Sequence, residues 1–170
     1  MLQLDIWLIL AHILSWSISQ GFSAMPNTYR LSDVVAETES AGKIDAMRFE
    51  PSVFQRLAPQ RNIVRYGSTE IMTLETSRVL GSMSFGAYQI MGYNLYGVCQ
   101  YARPLAEYMT NESQQLYSFS KFITQGKFVD DEFEVYVENN ELLLRFSKFY
   151  NGSEHYASSL LASFHKLKAQ

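Results

Sequence analysis

The stretch "SMSFGAYQIMGYN", residues 82–94, decides how the chain is read. It places Gly86 between Phe85 and Tyr88, follows with Gln89, Ile90 and Met91, and reaches a second glycine at Gly92. An ordinary amphipathic helix gains nothing from two glycines, each of which costs about 1 kcal/mol relative to alanine in a helix interior. Glycine is needed where the backbone turns to positive φ, or where another group comes too close for a Cβ. The segment reads as a helix beginning near Ser84, with something held against the backbone at Gly86.

Upstream, Pro26 breaks structure and Asn27 or Thr28 offers a helix cap. Leu31, Val34, Val35 and Thr38 then recur at helical spacing, and Gly42 ends the run. Glu39 falls in the last turn of that helix, where the helix dipole disfavours a carboxylate and raises its affinity for a proton. That is a poor place for a structural glutamate and a good one for a general acid. "DAMRFEPSVFQRL" reads as an extended piece followed by a turn of helix with Pro51 at its first position. A short strand or hairpin is expected around Ile63 to Tyr66, then a polar helix ending before Gly81.

The second half is helical. Asn111 or Thr110 caps a helix whose apolar stripe is Leu116, Phe119 and Ile123, closed by Gly126. A short helix, a second from about Glu141 to Phe149, and a last one with Tyr156, Leu160, Phe164 and Leu167 inward complete the chain. The fold class is mainly α, with a small β-hairpin or short strands.

Length and composition agree with one folded domain: 170 residues, 47% hydrophobic and 18% charged. A net charge of −3, with no basic run, argues against nucleic-acid binding by bulk charge. The single cysteine, Cys99, cannot form an internal disulfide and reads as a small buried hydrophobe. His12, His155 and His165 lie far apart, and no metal or cofactor is expected. Residues 1–24 are apolar, but Asp5 stands where an export signal carries positive charge. They read as a buried first helix, with a signal or membrane-anchor segment as the alternative.

Three polar clusters recur in a telling order: "ETESAGK" around Glu39, "SFGAYQIMG" around Gln89 and "FYNG" around Tyr150. Together they resemble the N-acetylmuramidase family of phage endolysins, within the lysozyme and lytic transglycosylase superfamily. The Glu-Ser-x-Gly motif matches Glu39, Ser40 and Gly42. The Phe-Glu segment with its hydrophobic-Phe-x-Arg-Leu tail matches Phe49, Glu50, Val53, Phe54, Arg56 and Leu57. The middle motif matches Ser84, Phe85, Gly86, Gln89, Ile90, Met91 and Gly92, continuing into Tyr93 and Asn94, and Tyr150, Asn151 and Gly152 match the last. The chain departs from the family pattern at Phe85 (usually Trp), at Thr38 (usually apolar), and after Gly152, where Ser153, Glu154, His155 and Tyr156 replace the usual Pro-Gly-Tyr.

The resemblance implies a single lysozyme-like catalytic domain over residues 1–170 that cleaves the β-1,4 bond between N-acetylmuramic acid and N-acetylglucosamine in peptidoglycan. It implies Glu39 as general acid, in walls supplied by Val34, Val35, Phe85 and Tyr150. The "SFGAYQIMG" helix would form the floor of a sugar groove, Gly86 admitting the polysaccharide and Gln89 offering it an amide. Tyr150 would set its hydroxyl near Glu39. Glu50 is the candidate second carboxylate, its alternative role being a structural bond to Arg48 or to backbone amides. Ser84, Phe85, Met91, Asn151 and Tyr156 complete the expected substrate contacts. The alternatives are a lytic transglycosylase acting on the same bond and a non-catalytic peptidoglycan-binding domain. The expected partner is the peptidoglycan glycan strand, met by a monomer at the cell wall, in the periplasm or outside the cell after synthesis in the cytoplasm.

Overall fold

The structure, a computed structural model, describes residues 28–57 and 73–170. The expected helix over residues 1–24 and the expected hairpin around Ile63 to Tyr66 lie outside the described residues. No helix among the described residues is long and apolar enough to cross a membrane.

Helix α1 (Leu31–Ser40) starts later than the sequence suggests. Its N-cap is Arg30, whose N–H donates to Asp33 Oδ2 at 2.8 Å. The start is also pinned from outside: Leu31 N–H donates to Asp131 O, and Phe133 N–H to Tyr29 O, both at 2.8 Å. Leu31, Val34 and Val35 are fully buried, each contributing roughly 1.5–3 kcal/mol of apolar burial. The helix ends as expected at a left-handed turn, Ala41 (φ 53) and Gly42 (φ 74).

The segment 82–94 is the first correction. It is not a helix from Ser84 but a β-hairpin followed by a short helix. Strands β1 (Met47–Phe49), β2 (Met83–Phe85) and β3 (Ile90–Met91) form an antiparallel sheet in that order, with Arg48 opposite Ser84 and Ser84 opposite Met91. Helix α2 (Pro51–Arg56) follows β1 with Pro51 at its first position, and α3 (Leu74–Gly81) leads into β2. Helix α4 (Gly92–Gly97) leaves β3.

Both glycines now have a reason. Gly86 has φ +76, and a Cβ there would lie 2.5 Å from Gln115 Oε1. A Cβ on Gly92 would lie 1.9 Å from the backbone oxygen of Leu80. What the chain holds so closely is its own buried amide and its own backbone, not a ligand.

Helices α5 (Leu105–Tyr108), α6 (Glu112–Gln125), α7 (Phe133–Glu138), α8 (Asn140–Asn151) and α9 (Tyr156–Lys168) complete the described fold. Asn111 caps α6, its side chain accepting from Gln114 N–H at 3.0 Å, and Gly126 closes it. In the expected stripe Phe119 and Ile123 are buried, but Leu116 is 39% exposed and fully buried Gln115 faces inward instead. Helix α9 packs along α1 and against α8, and Tyr156, Leu160 and Phe164 are buried as read from the sequence.

Candidate active site

Helix α1 delivers Glu39 from its last turn, and the end of that helix is tethered to the hairpin turn. The Ser40 hydroxyl donates to Ala87 O at 2.9 Å, so the Glu-Ser pair couples the carboxyl to β2 and β3. The Gln89 side chain locks the same hairpin. Its Nε2 donates to Gly86 O at 2.9 Å and to Ala46 O at 3.2 Å, while its Oε1 accepts from the Ser84 hydroxyl at 2.7 Å. Gly86 N–H donates to Ala46 O at 2.8 Å. The hairpin thereby holds the approach to β1, which carries Arg48, with Glu50 just beyond.

Two depressions meet at Glu39. One, of about 440 Å³, is lined by Glu50, Gln89, Met91, Tyr93, Tyr150 and other residues of the hairpin, α4, α6 and α8. The other, of about 400 Å³, is lined by Thr38, Ser153, His155, Tyr156 and Ser159. Glu39, Arg48 and Asn151 line both. The acid therefore sits at the junction of one groove with two arms. The wider arm carries aromatic residues and the other is polar, which suits a sugar chain with alternating flat faces and hydrogen-bonding edges.

Tyr156, not Tyr150, contacts the carboxyl. The Tyr156 hydroxyl donates to Glu39 Oε1 at 2.7 Å. The Tyr150 hydroxyl donates instead to Tyr88 O at 2.6 Å, and the Tyr150 ring stacks on Tyr156 with centroids 6.0 Å apart and planes 10° apart. Helix α8 thus buttresses the tyrosine of α9 that touches Glu39. Oε2 of Glu39 has no hydrogen-bond partner among the described residues.

Burial pushes the Glu39 carboxyl above the usual glutamate range, against the opposing pull of the Tyr156 hydrogen bond and of Arg48; the negative charge of Glu50 adds to the rise. The net result favours the protonated acid. Burial likewise raises Tyr156 and Tyr150 well above the ordinary phenol value, so both remain donors. Glu50 caps α2, its carboxylate forms an ion pair with Arg48 Nε, and its N–H donates to Ser82 O at 2.9 Å. It is the other carboxylate lining the groove among the described residues.

The structure brings Glu39, Glu50, Gln89, Met91, Tyr150 and Asn151 into the wider arm, with Tyr156 in the polar one. It does not bring Ser84, Phe85 or Gly86 there. Ser84 and Phe85 are fully buried, and the space over Gly86 is filled by Gln115. Gln89 borders the groove, yet both its amide atoms are spent inside the hairpin. Val34, Val35 and Phe85, expected as walls of the acid, are fully buried core residues. Glu37 points away, ion-paired with Lys166. Cys99 is buried, its thiol pushed up to about 12 by desolvation.

Sequence reading missed Gln115 as part of the site's support, whereas the bond to Arg48 expected as the alternative role of Glu50 is present in the structure. Gln115 Nε2 donates to Ile44 O at 2.7 Å and Tyr108 O at 2.9 Å, and its Oε1 accepts from Ala87 N–H at 2.7 Å. It ties α6 to the approach to β1 and to the hairpin turn. The signal for Arg48 was its two-residue spacing from Glu50, which puts both on one side of an extended chain.

The family model of N-acetylmuramidase matches residues 53–168, a span that holds Gln89, Tyr150 and Tyr156 and starts after Glu39 and Glu50. The chain is 32% identical over 138 residues to the endolysin of Enterobacteria phage PRD1, covering 78% of this chain and 93% of that protein. No solved structure matches significantly. These similarities establish that the chain belongs to the N-acetylmuramidase family and is a peptidoglycan-degrading enzyme.

Proposed function

We propose that the enzyme cleaves the β-1,4 bond between N-acetylmuramic acid and N-acetylglucosamine, with Glu39 as general acid. The observation that carries this reading is the setting of Glu39: a half-buried carboxyl at the junction of two groove arms, one oxygen fixed by Tyr156. Breaking a glycosidic bond requires a proton on the leaving oxygen as the bond lengthens, and a carboxyl kept neutral by its surroundings supplies it near neutral pH. Tyr156 occupies Oε1 as a donor, so the proton rides on Oε2, the oxygen left for the substrate. A sugar strand crossing the acid fills both arms, with the scissile bond at Glu39.

Glu50 serves as the anionic partner of the reaction. Arg48 holds it in position, and it either takes a proton from the attacking water or balances the positive charge that develops at the anomeric carbon. Met91, Tyr93, Tyr150 and Asn151 contact the sugars in the wider arm. One chain supplies all of these residues, so a single copy holds a complete site for its work at the bacterial cell wall.

The test is digestion of purified peptidoglycan by the wild type and by Glu39→Gln. Loss of one general acid costs about 10²–10⁴ in rate, so the variant should release almost no soluble muropeptides while keeping its helical circular-dichroism spectrum. Undiminished release would refute the role of Glu39. Mass spectrometry of wild-type products reads the reaction type: reducing ends mean hydrolysis, and 1,6-anhydro ends mean that the substrate's own hydroxyl attacks and Glu50 is dispensable.

A further inference from the structure

A separate depression of about 230 Å³ lies between residues 99–103 and α6, and it shares no lining residue with the catalytic groove. Gln114, Tyr117 and Lys121 recur at helical spacing and so share one face of α6. Gln100 and Arg103 stand opposite. Gln100 adopts φ 54, a left-handed conformation that non-glycine residues rarely take, and its side chain is exposed at the rim. The Tyr117 ring is 63% exposed, so it contributes little to the core. Lys121 has no acidic partner among the described residues, and Arg103 is held in place by Glu107 at 2.6 Å. In a chain of net charge −3, this sets a lysine with no acidic partner among the described residues beside two amides and a free aromatic face.

We propose that this depression receives the peptide branch of the peptidoglycan whose glycan strand occupies the groove. The inference rests on the groove assignment above. Phe122 lines the groove and its neighbour Lys121 lines the depression, so the two sites lie on adjacent faces of α6. A helix with its side chains is about 10–12 Å across, and an extended peptide of roughly four or five residues spans about 13–18 Å. A branch leaving a sugar seated against Phe122 in the wider arm therefore has the length to cross α6. Its chemistry fits as well. The Gln100 and Gln114 amides pair with peptide groups, Lys121 with a branch carboxylate, and the Tyr117 ring covers the aliphatic parts between them.

The experiment uses the full chain with Glu39→Gln as a non-cleaving binder. Binding is measured by co-sedimentation with intact purified peptidoglycan and by titration calorimetry with the soluble glycan strands that an amidase strips of peptide. Tyr117→Ala and Lys121→Glu should each weaken binding to intact peptidoglycan about fivefold or more, the scale of one charge-assisted or aromatic contact. Binding to the stripped strands should not change, and melting temperatures should match the parent. Lys121→Gln should give a smaller loss than Lys121→Glu. Unchanged binding of intact peptidoglycan by every variant overturns the proposal, as does an equal loss on both polymers. Soluble muropeptides in the Glu39→Gln tubes would indict the catalytic assignment instead, separately from the peptide site.

Discussion

Replacing Gln115 with leucine tests how the site is supported. The side chain is fully buried and makes three hydrogen bonds, to Ala87 N–H, Ile44 O and Tyr108 O. Leucine fills the volume and makes none of them. Tyr108 O keeps a second donor, the N–H of Asn111 at 3.3 Å, but Ala87 N–H and Ile44 O lose the partner that satisfies them. A buried group stranded in this way costs about 1–3 kcal/mol and the partly buried Ile44 O less, so the substitution should destabilise the protein by about 2–4 kcal/mol. For a chain of this size that is a fall in melting temperature of roughly 5–15 °C. Urea denaturation followed by circular dichroism, with an unchanged slope, gives the free energy directly. Gln114→Leu, one residue away and only partly buried, should stay within about 0.5 kcal/mol of the parent. A cost below about 1 kcal/mol for Gln115→Leu would refute the claim that this amide ties α6 to the sheet.

Tyr156→Phe should lower kcat on peptidoglycan and, by removing a bond that favours the charged carboxylate, move the alkaline limb of kcat/KM to higher pH; a pH profile measured across that limb checks the direction. Gly92→Ala drives a Cβ into the backbone oxygen of Leu80 and should cost about 3 kcal/mol, the upper end for overpacking, read by urea denaturation. Glu39→Gln should stabilise the protein near neutral pH. The native carboxyl holds its proton more tightly than the unfolded one, so the stability it contributes is present at acid pH and is lost as pH rises through its native pKa. The gain should therefore shrink toward zero below the ordinary glutamate value, as melting curves across pH would show.

Much of this fold was legible because its longer helices carry both a 3.6-residue stripe and chemical punctuation. Asn111 and Gly126 bracket α6, and Gly152 closes α8 with φ +80. The hairpin escaped because β2 and β3 span three and two residues, too few for a two-residue alternation to register. Gly86 and Gly92 flagged a close approach correctly but could not say to what, and the answers lie 29 residues downstream and 12 upstream. Gln115 was passed over since a glutamine beside an apolar stripe reads as solvated, and its partners are backbone atoms that only the tertiary fold assembles. The site followed the same rule. The position of Glu39 at a helix end was readable locally, whereas the tyrosine that reaches it depends on how α9 packs along α1, which no spacing encodes. Tyr150, nearer the recognised motif, turned out to support Tyr156 from behind.

Glu39 can act as the acid only if it keeps its proton under the conditions in which the enzyme works. Carbon-13 NMR of side-chain carboxyls, with the Glu39 resonance assigned by its loss in Glu39→Gln, follows that proton directly through a pH titration. The account predicts a midpoint clearly above the ordinary glutamate value of 4.5, with the alkaline limb of kcat/KM tracking it. A midpoint at or below that value, or a pH profile indifferent to it, would contradict the assignment of Glu39 as the acid.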